Sequence, residues 1–123
     1  MGLVLVLLVA GQMAAGFLAS ASRPWLDDVH VVAGFVILGL MAAALAGAWK
    51  YRARFGPIGF AMTVVAFLLT IAGASSGTLL RESLGAMACF VHRGLAVAIL
   101  AAGLVNCLIV AAQVRKAQKE GKI

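Results

Sequence analysis

The chain has 123 residues, of which 64% are hydrophobic and only 11% charged, with a net charge of +6. Soluble globular domains carry about a quarter charged residues, so a water-soluble domain is excluded as the bulk of this protein. The expected class is all-α: an integral membrane four-helix antiparallel bundle forming one domain, 1–123, in contact with the lipid bilayer. Apolar stretches of spanning length run over 3–21, 26–49, 57–77 and 85–112, each near the ~20 residues needed to cross a hydrocarbon core.

The first stretch, LVLVLLVAGQMAAGFLASA, holds Gly11, Gln12, Ala15 and Gly16. Small residues allow close helix approach, and a mid-span amide hydrogen-bonds to a neighbouring helix. Gln12 therefore reads first as packing glue and second as a contact to a cofactor edge. Ala19-Ser20-Ala21 has the look of a signal-peptidase site, but no basic segment precedes the apolar run, so the stretch is taken as a span.

Ser22 to Asp28 makes the turn into the second span. Pro24 suits a first helical turn, Trp25 a membrane interface, and Asp27 and Asp28 the positive end of a helix. His30 follows about one turn in. On a 3.6-residue period it shares a face with Ala33, Gly34, Ile37 and Met41, and Gly34 leaves room for a flat macrocycle beneath the imidazole. The second span closes on WKYRARFG, a basic and aromatic belt.

The third span contains Thr63 and Thr70, whose hydroxyls are expected to bond back to their own helix. It is expected to loosen at Gly73 to Gly77, with Thr78 to Leu84 forming a short interfacial segment. The fourth span carries His92 and Arg93 near its start, and His92 shares a face with Ala88, Ala96, Ile99 and Gly103. Cys89 and Cys107 lie on this one helix, on the order of 27 Å apart at helical rise. A disulfide between them is excluded, and both read as small buried apolar residues.

Basic residues cluster between spans two and three (Lys50, Arg52, Arg54) and in the tail (Arg115, Lys116, Lys119, Lys122). The positive-inside rule then puts both termini in the cytoplasm. The protein is expected in the cell membrane as a multi-pass chain. Nucleic acid is not an expected partner, because the cations flank spans and no aromatics interleave with them.

His30 and His92 begin alternate spans, so they fall at similar depth towards the non-cytoplasmic side. In a sequentially packed four-helix bundle, helices two and four face each other on a diagonal. Ionisable side chains in a span face the interior and serve a purpose, and two imidazoles on a diagonal suit the axial positions of haem. His30 and His92 are therefore the candidate iron ligands, with Gly34, Ala96 and Gln12 beside the cofactor. Arg93, Arg23 and Arg81 are candidate partners for propionates. Zinc or copper fits less well, since two imidazoles supply only part of a shell.

The motif Phe90-Val91-His92-Arg93-Gly94-Leu95-Ala96, the pair Gln12-x-x-x-Gly16 and the His30 helix together resemble a half-length member of the haem A synthase family, related to cytochrome oxidase assembly. The resemblance implies haem bound between His30 and His92, as b-type haem or as haem O and haem A in turn. It also implies oxidation of a haem O methyl to formyl, with an electron donor or a terminal oxidase as partner. The family's Glu-x-x-His-Arg has Cys89 three residues before His92, and Asp27 three before His30 as the candidate catalytic carboxylate. Two alternatives remain open: a bis-histidine b-type cytochrome for electron transfer, and a cofactor-free assembly or structural subunit. Small residues on every helix also permit a homo-oligomer.

Overall fold

The computed structural model describes residues 2–19, 24–80 and 85–121, and among these it is all-helical. Four helices follow in order: α1 (Gly2–Ala19), α2 (Pro24–Lys50), α3 (Arg52–Leu80) and α4 (Gly85–Lys119). Three are long and apolar enough to cross a membrane, over Trp25–Lys50, Gly56–Gly77 and Met87–Lys119. The apolar stretch of α1, Leu3–Leu18, is shorter.

The boundaries reflect local chemistry. Pro24 opens α2, where its missing N–H costs nothing. Between α2 and the main body of α3, Gly56 takes φ 65°, a left-handed value that glycine reaches without a Cβ penalty. Pro57 restarts the helix directly after it. A Cβ on Gly56 would also come within 3.1 Å of Gln113 Nε2, so α4 packs close against the kink.

Two expectations are corrected. α3 stays helical through Gly73 to Gly77 and on to Leu80, because at membrane depth a helix is the way to satisfy its own backbone. Residues 81–84, the rest of the expected interfacial segment, lie outside the described residues. α4 runs past Ala112 to Lys119: its last turns, AAQVRKAQK, are rich in strong helix formers, and cations there complement the negative end of the helix dipole.

Each helix packs against its sequence neighbour, and α1 also packs against α4. No close backbone approach joins α1 to α3 or α2 to α4 among the described residues. α2 and α4 therefore stand across a diagonal. Below the diagonal gap, Val9, Ile37, Met41, Ala66 and Ala102 form one buried cluster with a contribution from every helix. Large apolar side chains cover the outside, Phe90 at 77% exposure among them, as expected where lipid rather than water is the solvent.

Thr63 and Thr70 are buried and donate to the carbonyls of Gly59 and Ala66 on their own helix, at 2.9 and 2.8 Å. Thr63 also accepts from Asn106 Nδ2 at 3.2 Å, which ties α3 to α4. At the Lys50 end, the Arg52 guanidinium lies 5.2 Å from the centre of the Trp49 ring and Trp49 packs on Phe60 at 5.7 Å.

Ala66 is 2% exposed at the centre of the cluster. Replacing it with leucine overpacks the meeting point of the helices and is expected to cost about 1–3 kcal/mol. The expected readout is a lower thermal unfolding midpoint in detergent, with Val97→Leu on the exposed face close to wild type.

Candidate functional site

His30 on α2 and His92 on α4 reach across the diagonal until their ring centres are 6.0 Å apart, with the ring planes at 77°. Both rings are partly buried. Helix backbones that do not touch are thus bridged by two imidazoles at one level of the bundle.

Each ring is seated on a glycine of the preceding helix. A Cβ built on Gly16 would stand 2.8 Å from His30 Cε1, and one built on Gly77 would stand 3.1 Å from His92 Cε1. Any larger side chain would fill the space that the imidazole occupies. The two halves repeat this device at nearly the same interval: Gly16 precedes His30 much as Gly77 precedes His92.

Hydrogen bonds fix the ring orientations. His30 Nδ1 lies 3.0 Å from the backbone oxygen of Gln12. A carbonyl oxygen can only accept, so Nδ1 carries the hydrogen and Nε2 keeps its lone pair. In return Gln12 Nε2 donates to the backbone oxygen of His30, and Gly34 leaves room for that amide, which would lie 3.2 Å from a Cβ there. The reciprocal pair joins α1 to α2. Gln12 Oε1 is buried with no hydrogen-bond partner among the described residues. His92 Nδ1 is held at 2.9 Å from Ser76 Oγ.

A cleft of about 410 Å³ opens around the two rings. It brings together residues singled out from the sequence on three different helices: Gln12, Asp27, His30, Gly34, His92, Arg93 and Ala96. Cys89 also lines it, one turn before His92, while Cys107 lies further along the same helix; both are free thiols, and neither is buried as expected, Cys89 being exposed and Cys107 partly exposed. The Arg93 guanidinium stands 5.0 Å from the centre of the Phe17 ring, a cation–π contact that steadies a charge beside lipid. Arg23 and Arg81 lie outside the described residues. Ser76 and Gly77 escaped the sequence reading, although the Gly73-x-x-x-Gly77 spacing parallels Gln12-x-x-x-Gly16.

Chemically, the site offers two imidazoles with ring centres 6.0 Å apart beside a largely apolar cleft. Among the described residues no group of three or more His, Cys, Asp or Glu is placed to hold a metal ion.

Adding a methyl group at Gly16 is expected to push the His30 ring off its seat and break the Nδ1–H bond to Gln12, at a cost of about 1–2 kcal/mol. Loss of the hydrogen-bonded imidazole proton resonance in Gly16→Ala is the direct readout. Gly11→Ala, with nothing within 4 Å of the added carbon, is the control expected to leave that resonance in place.

No family model, curated protein or solved structure compared with the chain matches it.

Proposed function

We propose that this chain is a membrane haem protein, in which His30 and His92 ligate one haem iron from opposite faces on a scaffold resembling a compact haem A synthase. One observation carries the reading, the spacing of the rings. Metal–imidazole bonds are about 2.0–2.1 Å long, so two imidazoles on opposite sides of one metal, each pointing a ring nitrogen at it, would hold their ring centres about 6 Å apart, and the ring centres here lie 6.0 Å apart. The donor set agrees. A porphyrin supplies four nitrogens and would ask the protein for axial ligands alone, and two imidazoles are what this pair presents.

The surroundings support the same reading. Glycines at 16, 34 and 77 keep the cleft clear next to both rings, and Arg93 at its edge is a cation for a propionate. A ligating histidine ordinarily donates its second ring N–H to a protein acceptor, which fixes its orientation; His30 has such an acceptor in Gln12.

In the proposed topology the helices alternate in direction, α1 being the fourth crossing, and both termini are cytoplasmic. The pairings Gly16 with His30 and Gly34 with Gln12, and those of Gly77 with His92 and Gly56 with Gln113, run in opposite order along their helices and support it. The basic residues Lys50, Arg52, Arg115, Lys116 and Lys119 then share the cytoplasmic side, and the histidines lie near the other.

Bound haem supplies a redox-active iron. His30 and His92 would hold it, the apolar lining of the cleft would exclude water, and Arg93 would neutralise its acidic edge. The enzymatic form of the reading, oxidation of a haem O methyl to formyl, removes electrons from the methyl carbon and adds an oxygen atom. The oxidant and the oxygen source (dioxygen with a reductant, or water with an electron acceptor) would come from outside the chain, and within the chain the reading depends on Asp27. It is the carboxylate lining the cleft, one turn before His30, and so the group placed to hold a proton beside a bound substrate.

Purified protein, or protein reconstituted with hemin, is expected to show a sharp low-spin Soret band. His30→Ala and His92→Ala should each lose the low-spin spectrum, while Gln12→Ala should keep it. Absence of a Soret band, or an unchanged spectrum in either histidine variant, rules the ligand pair out. In cells making haem O, formylated pigment is the expected product, and Asp27→Asn should lose the product but keep the Soret band.

A further inference from the structure

Ser76 stands on α3 between Gly73 and Gly77, and its single hydroxyl has two neighbours. Its Oγ lies 2.8 Å from the backbone oxygen of Gly73 and 2.9 Å from His92 Nδ1. A hydroxyl has one proton and two lone pairs. The Gly73 carbonyl can only accept, so that proton goes to Gly73. An oxygen lone pair is then what faces His92, and the imidazole has to bring the hydrogen. We infer that Ser76 is a positioning residue, which holds the proton of His92 on Nδ1 and so leaves Nε2 with its lone pair.

A serine in a helix ordinarily satisfies itself on a carbonyl three or four residues back and does nothing more; Thr70 on the same helix follows that pattern with Ala66. Ser76 makes that bond and also passes its polarity on to a ring on another helix. Gly77 completes the arrangement: its missing Cβ is what lets His92 come close enough, since a Cβ there would lie 3.1 Å from Cε1. Both halves of the site then reach the same tautomer through different acceptors, a main-chain oxygen for His30 and, for His92, a side-chain hydroxyl with the Gly73 main chain beside it. The hydroxyl can be removed by mutation.

The consequence for ligation follows from imidazole chemistry. A neutral ring protonated on Nδ1 presents Nε2 as a donor atom, whereas the other tautomer presents an N–H that cannot bind a metal. A hydrogen bond on the far nitrogen also raises ligand basicity, and its loss typically costs 10–100-fold in metal affinity. The relevance to ligation rests on the haem reading; the tautomer is a property of the protein itself.

The test begins without any cofactor. In long-range proton–nitrogen spectra of 15N-labelled protein in detergent, both histidines are expected to carry the proton on Nδ1. Ser76→Ala should shift His92 towards the Nε2-protonated form with His30 unchanged, and Ser76→Thr should restore the wild-type pattern. A wild-type His92 protonated on Nε2, or a Ser76→Ala spectrum identical to wild type, overturns the inference. In hemin-loaded protein the same variant should give up the His92 ligand to added carbon monoxide, after reduction, about 10–100-fold more readily than wild type. If the tautomer responds to Ser76 but no haem binds, the proposed function fails and the role of Ser76 in fixing the ring stands. If a low-spin haem protein forms and the tautomer ignores Ser76, the ligand pair stands and the role of Ser76 falls.

Discussion

A polar ring inside a membrane bundle has no water to bond to, and this constraint shapes the whole site. An unsatisfied donor in an apolar medium costs several kcal/mol, so each imidazole N–H must find its acceptor in the protein. His30 finds the backbone of α1 and His92 finds Ser76 on α3. With Nδ1 committed in this way on His30, the other nitrogen of the ring keeps its lone pair. The glycines and the close pairing of α1 with α2 and of α3 with α4 serve that arrangement. Polar satisfaction and ring orientation are here one and the same contact.

The division of labour along the bundle follows. Towards the Lys50 and Gln113 ends of the helices the interior is apolar and filled, with Ile37, Met41, Ala66 and Ala102 in one cluster and Asn106 fastening α4 to Thr63. Around the histidines the interior is open, with small residues where large ones would close it. A rigid packed half thus holds the helices at the separation the open half needs. Binding sites between the helices of bundles commonly rely on such support.

Much of this was legible in the sequence because the signals were periodic or charged. Apolar length pointed to four spans, of which three are long and apolar enough to cross a membrane while the apolar part of α1 is shorter, and two histidines starting alternate spans pointed to a shared level, where the structure puts their rings 6.0 Å apart. The hydroxyls of Thr63 and Thr70 bond back to their own helix as their residue type implied. What escaped was context. A Gly-Ala-Ser-Ser-Gly run reads locally as a loosened helix end, yet the same run stays helical when lipid offers its backbone no alternative. Ser76 and Gly77 were hidden by that misreading, since their value lies in what comes to rest on them from α4. The reach of α4 to Lys119 was missed for the opposite reason: polarity ended the apolar run, but not the helix.

The central claim is that two imidazoles held nearly at right angles share one iron. Electron paramagnetic resonance of the hemin-loaded ferric protein addresses it most directly, because the signal reports both the number of axial nitrogens and the relative orientation of their planes. With the rings at 77°, the expected spectrum is a single low-spin species of strong anisotropy, with its largest g value well above that of parallel imidazoles. A high-spin ferric signal, or a low-spin signal that survives loss of either histidine, would contradict it.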